Sequence, residues 1–168
     1  SGDVASVKRI GTEITYLLNG VVFYTSEVAS SGNLYADTSL YTTGATLNDI
    51  VLQNEISNTT FTNISNVVVT HNSIRKTAEE GWNAGVFSEQ YISEDGSVST
   101  TIAETDKNRM IGLSDSDDNQ SFTSLDYAIY LKNNGTLGVY ENSFSKGNFG
   151  AYLSGDVMSV KRVGTEIT

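Results

Sequence analysis

One segment of this chain occurs twice, and the duplication limits the folds open to it. Residues 1–15 read SGDVASVKRIGTEIT and residues 154–168 read SGDVMSVKRVGTEIT, so thirteen of fifteen positions are identical. The two exceptions, at positions 5 and 10 of the segment, exchange one apolar residue for another. The offset from residue 1 to residue 154 is 153 residues. The chain is therefore one full repeat followed by the beginning of the next, and we predict that its parent protein is a tandem array.

The length of this period predicts a self-sufficient domain in each repeat. Solenoid repeats of about 20–50 residues stack on their neighbours, whereas about 150 residues enclose a core of their own. Segment 53–66 is polar, rich in Asn and Thr and without alternation, and is predicted to link successive repeats. Residues 1–52 then hold the C-terminal strands of one repeat, and residues 67–168 hold the N-terminal and middle strands of the next.

Composition excludes several classes of function. The chain has 10 Lys and Arg residues against 20 Asp and Glu residues, so phosphate backbones and anionic lipids repel it and nucleic acid is not an expected partner. The absence of cysteine rules out disulfides, thiolate metal ligands and a cysteine nucleophile. No apolar run approaches the ~18 residues that indicate a membrane span, so membrane insertion is not expected.

Short alternating segments separated by turn residues predict an all-β fold. Three pairs, Asn19-Gly20, Asp95-Gly96 and Asn134-Gly135, lie between strand-like runs and are typical of hairpin turns with positive φ at both central residues. Many short strands with regular turns indicate a β-sandwich or a barrel.

Two alternating rows are predicted to face the core, because successive side chains of a strand point to opposite faces. The first row is Ile14, Tyr16 and Leu18. The second comprises four residues of a later strand: Leu125, Tyr127, Ile129 and Leu131.

Several of these segments resemble a known family of modules. GDVASVKRIGTEITYLLNGVVFYTS, followed by GNLYADTSLYTTGATLNDIVL, resembles the closing strands of the concanavalin A-like, laminin-G-like jelly-roll modules of bacterial surface proteins. GWNAGVFSEQ at 81–90 and NRMIGLSDSD at 108–117 resemble their opening and middle strands. The resemblance implies a jelly-roll β-sandwich, cut out of frame from its array.

Arrays of such modules resemble the giant adhesins of gliding or biofilm-forming bacteria. The resemblance implies an extracellular, cell-surface location and a structural role, in which the repeats extend a distal binding region from the cell; it implies no enzymatic activity. The alternative is that each module is a weak glycan-binding lectin, calcium-dependent in one form of this hypothesis, whose affinity is multiplied by the array.

The duplicated segment also predicts a partner. A sandwich needs each strand once, so residues 1–15 and 154–168 compete for one position. Either residues 1–52 fold back onto the rest of their own chain as a closed circular permutant, or they complete a neighbouring copy by head-to-tail strand exchange. Exchange is favoured, because it reproduces the connectivity of the array.

The densest acidic stretch suggests a metal site. Asp115, Asp117 and Asp118 follow the strand-like segment RMIGL and offer the hard oxygen ligands that Ca²⁺ requires, without the spacing of an EF-hand. The competing interpretation, which is favoured, is a solvated loop. No other cofactor is expected.

Aromatic residues are the candidates for a sugar site. Trp82 lies between glycines at the start of an apolar strand, which favours core packing over an exposed platform. The tyrosines of the strand-like runs indicate cross-strand packing with their hydroxyls at the rim: Tyr35, Tyr41, Tyr130 and Tyr140.

Catalytic groups are scarce. His71 is the single histidine and is expected on the surface. The acidic pair Glu79-Glu80 precedes Trp82 in a turn-like segment rather than on one strand, where sandwich glycosidases place their carboxylates.

Overall fold

The computed structural model describes residues 7–10, 12–53 and 59–163, and it describes the side chains of residues 12–53 and 59–158. These residues form two antiparallel sheets packed as a β-sandwich, which confirms the all-β prediction. In chain order the strands are β1 Val7–Ile10, β2 Glu13–Leu18, β3 Val21–Thr25, β4 Leu34–Leu40, β5 Thr46–Gln53, β6 Phe61–Ser65, β7 Val67–Thr70, β8 Ser73–Lys76, β9 Gly85–Ile92, β10 Ser97–Thr101, β11 Arg109–Ser114, β12 Tyr127–Leu131, β13 Thr136–Glu141, β14 Phe144–Ala151 and β15 Val157–Val163.

The first sheet has the order β3-β2-β1-β15-β10-β5-β8-β7, and the second has the order β14-β13-β12-β11-β4-β9-β6. Within the described part of the chain the helical structure is one 3₁₀ turn, Phe122–Ser124, and no helix is long and apolar enough to cross a membrane. The chain moves repeatedly between the sheets, so residues that are close in sequence often lie in different layers.

The two copies of the duplicated segment meet at β2. β2 is antiparallel to both copies, and Ile14 has as its Cα partner both Arg9 of β1 and Arg162 of β15, residues one period apart. The copies themselves are parallel and in register, Val7 against Val160. One strand edge accepts one neighbour, so the copies are alternatives for one position. Counting them once leaves seven antiparallel strands in each sheet.

The core between the sheets contains most of the predicted rows. Ile14 and Tyr16 are buried, and Leu18 packs against the same cluster. Tyr127, Ile129 and Leu131 are buried there from the second sheet, whereas Leu125 belongs to a separate cluster outside the sandwich. The prediction for Leu125 was wrong because this residue precedes β12 and caps the 3₁₀ turn, so the alternation of the strand does not extend to it.

The predicted turns are of three kinds. Asn19 and Gly20 join β2 to β3 with φ of 50° and 77°, which confirms a two-residue hairpin with positive φ at both positions. Asn134-Gly135 joins the paired strands β12 and β13, but of the two only Gly135 has a positive φ, 73°.

The Asp95-Gly96 hairpin was a wrong prediction. These residues join β9 of the second sheet to β10 of the first sheet, which are not paired. Glycine is required there by close approach: a Cβ at Gly96 would overlap the Ile92 side chain and lie 3.0 Å from the carbonyl oxygen of Gln53.

The predicted linker 53–66 is also corrected in part. Gln53 ends β5, and Phe61–Ser65 forms β6, which pairs with β9 at the edge of the second sheet. Polar residues form a strand here because an edge strand buries little of its surface. Residues 54–58 of the predicted linker lie outside the described residues.

Candidate functional site

The outer face of the second sheet carries a second layer of packing. Leu34, Ala36 and Leu40 of β4 face the core, so the alternate residues of that strand face outward. The outward Ser39 hydroxyl donates to the carbonyl oxygen of Gln120, 2.7 Å away. The loop between β11 and β12, residues 115–126, therefore lies over this face.

Five half-buried aromatic rings pack together on this face: Tyr41, Trp82, Phe122, Tyr130 and Tyr140. We call them the outer aromatic cluster. Neighbouring ring centroids are 5.3–5.9 Å apart and the rings are inclined by 58–86° to one another. Such tilted contacts are the favoured geometry of aromatic packing. The rings cover one another's faces and form a packed cluster rather than one flat platform.

The register of the strands explains part of this cluster. Tyr130 is the Cα partner of Gly138, and Tyr140 is the partner of Ala128, so the two tyrosines are diagonal neighbours on adjacent strands. The predicted cross-strand packing of these two residues is confirmed. Phe122 was not predicted, because it lies in a loop without alternation and only the folded loop brings it to the sheet.

Tyr35 belongs to a different part of the outer face. Its ring stacks on Phe87 at 4.7 Å and contacts Tyr91 at 5.6 Å. Tyr35 and Tyr91 are direct partners on β4 and β9, so the predicted cross-strand role of Tyr35 is also confirmed.

A buried lysine fixes the loop that carries Trp82. The Lys76 ammonium is fully buried and donates to the carbonyl oxygens of Leu40 at 3.0 Å and Gly81 at 2.7 Å, and to the side-chain oxygen of Asn83. Three acceptors satisfy the three N–H donors of an ammonium group. Burial lowers the pKa of Lys76, but the charge of Glu80 opposes this effect.

Polar groups surround the outer aromatic cluster. The Tyr130 hydroxyl donates to Asn108 Oδ1 at 2.9 Å, and Lys132 Nζ lies 5.5 Å from the centre of the Tyr130 ring. Within the described part of the chain, no hydrogen bond is made by the hydroxyls of Tyr41 and Tyr140 or by the indole nitrogen of Trp82.

The predicted calcium ligands lie at the other end of the covering loop. Asp115 and Asp118 are exposed, whereas Asp117 is half-buried and accepts a hydrogen bond from Asn63 Nδ2 at 2.6 Å. The Asp115 backbone N–H donates to Asp126 Oδ2 at 2.9 Å.

Two further acids complete this region, and the sequence did not single them out. Asp37 is buried on β4 and accepts from the Ser114 hydroxyl at 3.0 Å. Burial raises the pKa of Asp37 well above its ordinary value; the bond from Ser114 acts in the opposite direction, and Asp117 and Asp126 raise it further. Burial likewise raises the pKa of Asp126.

These carboxylates do not form a ligand set in the structure. In residues 12–53 and 59–158, whose side chains are described, no group of three Asp, Glu or His side chains is arranged to hold a metal ion. Calcium binding by Asp115, Asp117 and Asp118 stays a prediction.

The remaining candidates for chemistry are dispersed. His71 is exposed in the turn between β7 and β8, with φ of 56°, and Glu79 and Glu80 are exposed in the loop before Trp82. The predicted surface location of His71 is confirmed.

Two buried ionic groups lie at the edges of the core. Arg109 is fully buried and donates to the carbonyl oxygens of Glu104 at 2.7 Å and Lys107 at 2.9 Å. Across the sandwich, the Tyr16 hydroxyl donates to Glu141 Oε1 at 3.0 Å. Burial, together with the Glu141 charge, raises the pKa of Tyr16 well above its ordinary value. Arg109 fixes the loop before β11, and the Tyr16–Glu141 hydrogen bond joins the two sheets. Both side chains are too deeply buried to contact a substrate.

Comparisons of this chain with protein-family models, with curated proteins and with solved structures found no match. The assignment of function therefore rests on the duplication in the sequence and on the geometry described above.

Proposed function

We propose that the chain is a structural tandem-repeat module of an extracellular bacterial adhesin, which extends a distal binding region from the cell surface. The observation that carries this proposal is the segment repeated after 153 residues. One period supplies a complete sandwich with its own core, as a module of an array requires. The acidic composition keeps neighbouring copies from associating nonspecifically.

The finer fold that we propose is a jelly roll. Its support is the repeated movement of the chain between the two sheets, which is typical of sandwiches built from Greek-key connections. The first strand of one repeat is then β6 rather than β1.

We propose also that neighbouring molecules exchange strands head to tail when a chain contains the end of one repeat followed by the beginning of the next. The support is the position beside β2, for which Arg9 and Arg162 are alternative partners of Ile14. In the single chain, β2, β3 and β5 belong to the first sheet and β4 belongs to the second. The same positions are available to the equivalent strands of a second molecule.

Surface labelling tests the main proposal. Antibodies raised against residues 1–168 are applied to intact and to permeabilised cells that produce the parent protein. We expect equal labelling of both samples, and loss of labelling after mild protease treatment of intact cells. Labelling confined to permeabilised cells contradicts a surface role.

A second candidate function is glycan binding at the outer aromatic cluster. The observation that favours it is the hydrogen-bonding capacity that Tyr41, Trp82 and Tyr140 leave unused within the described part of the chain, since sugar sites need polar atoms beside apolar rings. A glycan array compares the chain with Tyr140→Phe, which removes one hydroxyl, in calcium and in chelator. Binding that Tyr140→Phe weakens supports a lectin; the absence of binding under both conditions contradicts it.

A further inference from the structure

The turn between β2 and β3 holds the start of β15. The register that pairs Ile14 of β2 with Arg162 of β15 places Asn19 opposite Val157. There the Asn19 backbone N–H donates to the carbonyl oxygen of Val157 at 2.6 Å, and the Val157 N–H donates to Asn19 Oδ1 at 2.7 Å. Asn19 Nδ2 donates to Asp156 Oδ1 at 2.9 Å. The carboxamide therefore joins the turn to residues that are 137 and 138 positions away in sequence.

Asn19 also precedes a glycine, which makes its carboxamide chemically reactive. Glycine has no Cβ to shield its backbone nitrogen, so this nitrogen can attack the side-chain carbon of a preceding asparagine. In that reaction a bond forms from Gly20 N to Asn19 Cγ, the bond from Cγ to Nδ2 breaks, and ammonia leaves with the proton of the Gly20 amide. Water then opens the succinimide ring at either carbonyl and gives aspartate or isoaspartate. Water is the sole co-reactant.

The folded turn opposes this reaction. Ring closure requires the Asn19 carboxamide to rotate towards Gly20 N, and the rotation breaks its hydrogen bonds with Asp156 and Val157. Two hydrogen bonds that must open together lower the rate by about tenfold to a hundredfold relative to an unfolded chain. Asn19 and Gly20 are both exposed, so water reaches the turn. The protection therefore comes from the hydrogen bonds and not from burial.

The products of the reaction do not fit the start of β15 as asparagine does. A side-chain carboxylate at position 19 has no N–H to donate to Asp156, and its negative charge lies beside the charge of that residue. Isoaspartate adds a main-chain carbon to a two-residue turn whose positive φ values match the twist of its strands. Both products therefore weaken the contact between the turn and β15.

We propose that Asn19 is a deamidation site that the folded chain protects and that opening of the sandwich exposes to reaction. Each period that a chain spends open then increases the fraction of molecules that carry the modification. A modified chain refolds with a weaker hold on β15, because the side chain that joins the turn to this strand has been converted. The proposal concerns this chain alone and rests neither on the array nor on a cell-surface location.

Peptide mapping by mass spectrometry measures the reaction after incubation of the chain at alkaline pH, once folded and once in guanidinium chloride. Asn134-Gly135 is the internal reference, because an unfolded chain should convert the two Asn-Gly pairs at similar rates. We expect conversion of Asn19 to be at least about tenfold slower in the folded protein than in the unfolded chain. Equal rates for Asn19 in the two states overturn the proposal.

The variant Asp156→Ala tests the protecting contact in the folded protein. It removes the acceptor of Asn19 Nδ2, so the carboxamide should rotate more freely and Asn19 should react faster than in the unaltered chain. Circular dichroism shows that the variant is folded during the incubation. An unchanged rate contradicts the protection of Asn19 by Asp156.

Asn19→Asp produces one of the products directly and tests its effect on β15. Its urea midpoint of unfolding should fall, and the fall should be smaller in a chain that also carries Asp156→Asn, which restores an N–H donor opposite the new carboxylate. Asn134→Asp is the control and should leave the midpoint nearly unchanged, because Asn134 uses its Oδ1 to accept from the Thr136 N–H at 3.2 Å and from Thr136 Oγ1 at 2.7 Å, and aspartate keeps this acceptor. Equal losses from Asn19→Asp with and without Asp156→Asn contradict the effect proposed for the product.

Discussion

Buried charge is the most unusual feature of this sandwich at the scale of single residues. Lys76 and Arg109 are fully buried, and Asp37 and Glu141 are nearly so. Lys76 is satisfied by neutral oxygens and Asp37 by a hydroxyl, rather than by a close opposite charge. Buried charges of this kind are expensive unless every hydrogen bond is made. Each residue therefore gives a test of the local geometry.

Asp37→Asn should stabilise the protein at neutral pH. The pKa of Asp37 is raised in the folded state, so the folded protein binds this proton more strongly than the unfolded chain. The contribution of Asp37 to stability therefore falls as pH rises from about 4 through the folded pKa, by about 1.4 kcal/mol per unit of pKa difference. Asparagine removes this cost and can donate to the Ser114 hydroxyl.

Thermal denaturation between pH 4 and pH 8 measures this effect. The gain from Asp37→Asn should be largest at pH 8 and should vanish towards pH 4. Asp118→Asn, at an exposed position of the same loop, is the control and should leave the midpoint nearly unchanged. A lower midpoint for Asp37→Asn at pH 8 would show that the carboxylate is needed in its charged form.

Lys76→Met should loosen the loop of Trp82. It leaves the carbonyl oxygens of Leu40 and Gly81 without their donor, and we expect a loss of about 2–4 kcal/mol in the free energy of unfolding. Trp82 is the single tryptophan, so its fluorescence reports on this loop directly, and its emission should shift to longer wavelength. Lys107→Met, at a partly exposed lysine, is the control. An unshifted emission in Lys76→Met contradicts the role of the ammonium.

At the scale of strands, the duplicated segment is the informative element. β15 pairs with β10 over residues 157–161 and buries Val157 and Met158, whereas the described partners of β1 are β2 and β15. β15 thus has the larger share of the contacts. We therefore expect the removal of β1 to change the stability of the sandwich less than the removal of β15.

Deletion of residues 1–10 should therefore leave the urea midpoint of unfolding nearly unchanged. Deletion of residues 157–168 should lower the midpoint, because the segment 1–10 can replace the strand only without the turn at residues 152–156. Deletion of both should abolish cooperative unfolding, since the position beside β2 is then empty. Equal losses from the two single deletions would show that the copies are not alternatives.

At the scale of the whole molecule, the same duplication predicts self-association that depends on the protein concentration during refolding. Strands tethered to their own sandwich have an effective concentration in the millimolar range, so closed monomers should prevail after refolding at micromolar concentration. Refolding at higher concentration should trap exchanged dimers and longer oligomers. Light scattering after size-exclusion chromatography measures both samples. Monomers after both treatments contradict exchange.

Part of this architecture was readable from the sequence. The period of 153 residues follows from the repeated segment. The all-β class, the core-facing Ile14 and Tyr16 and the hairpin at Asn19-Gly20 follow from local patterns. Alternation indicates which side chains share a face of the sheet, and turn residues indicate where the chain reverses direction. Both signals act over a few residues, so one sequence is sufficient to show them.

The sites and the connections between layers were decided by the tertiary structure. Alternation does not say which sheet a strand joins, so Asp95-Gly96 resembled a hairpin although it links the two sheets. The burial of Asp37 depends on which segments fold over it. Lys76 gave no clear signal either: Gly81 and Asn83 lie in the loop that follows it, but its third acceptor, Leu40, comes from the distant strand β4. The sequence thus determined the repeat and most of its strands, and only packing between distant segments determined where charge is buried.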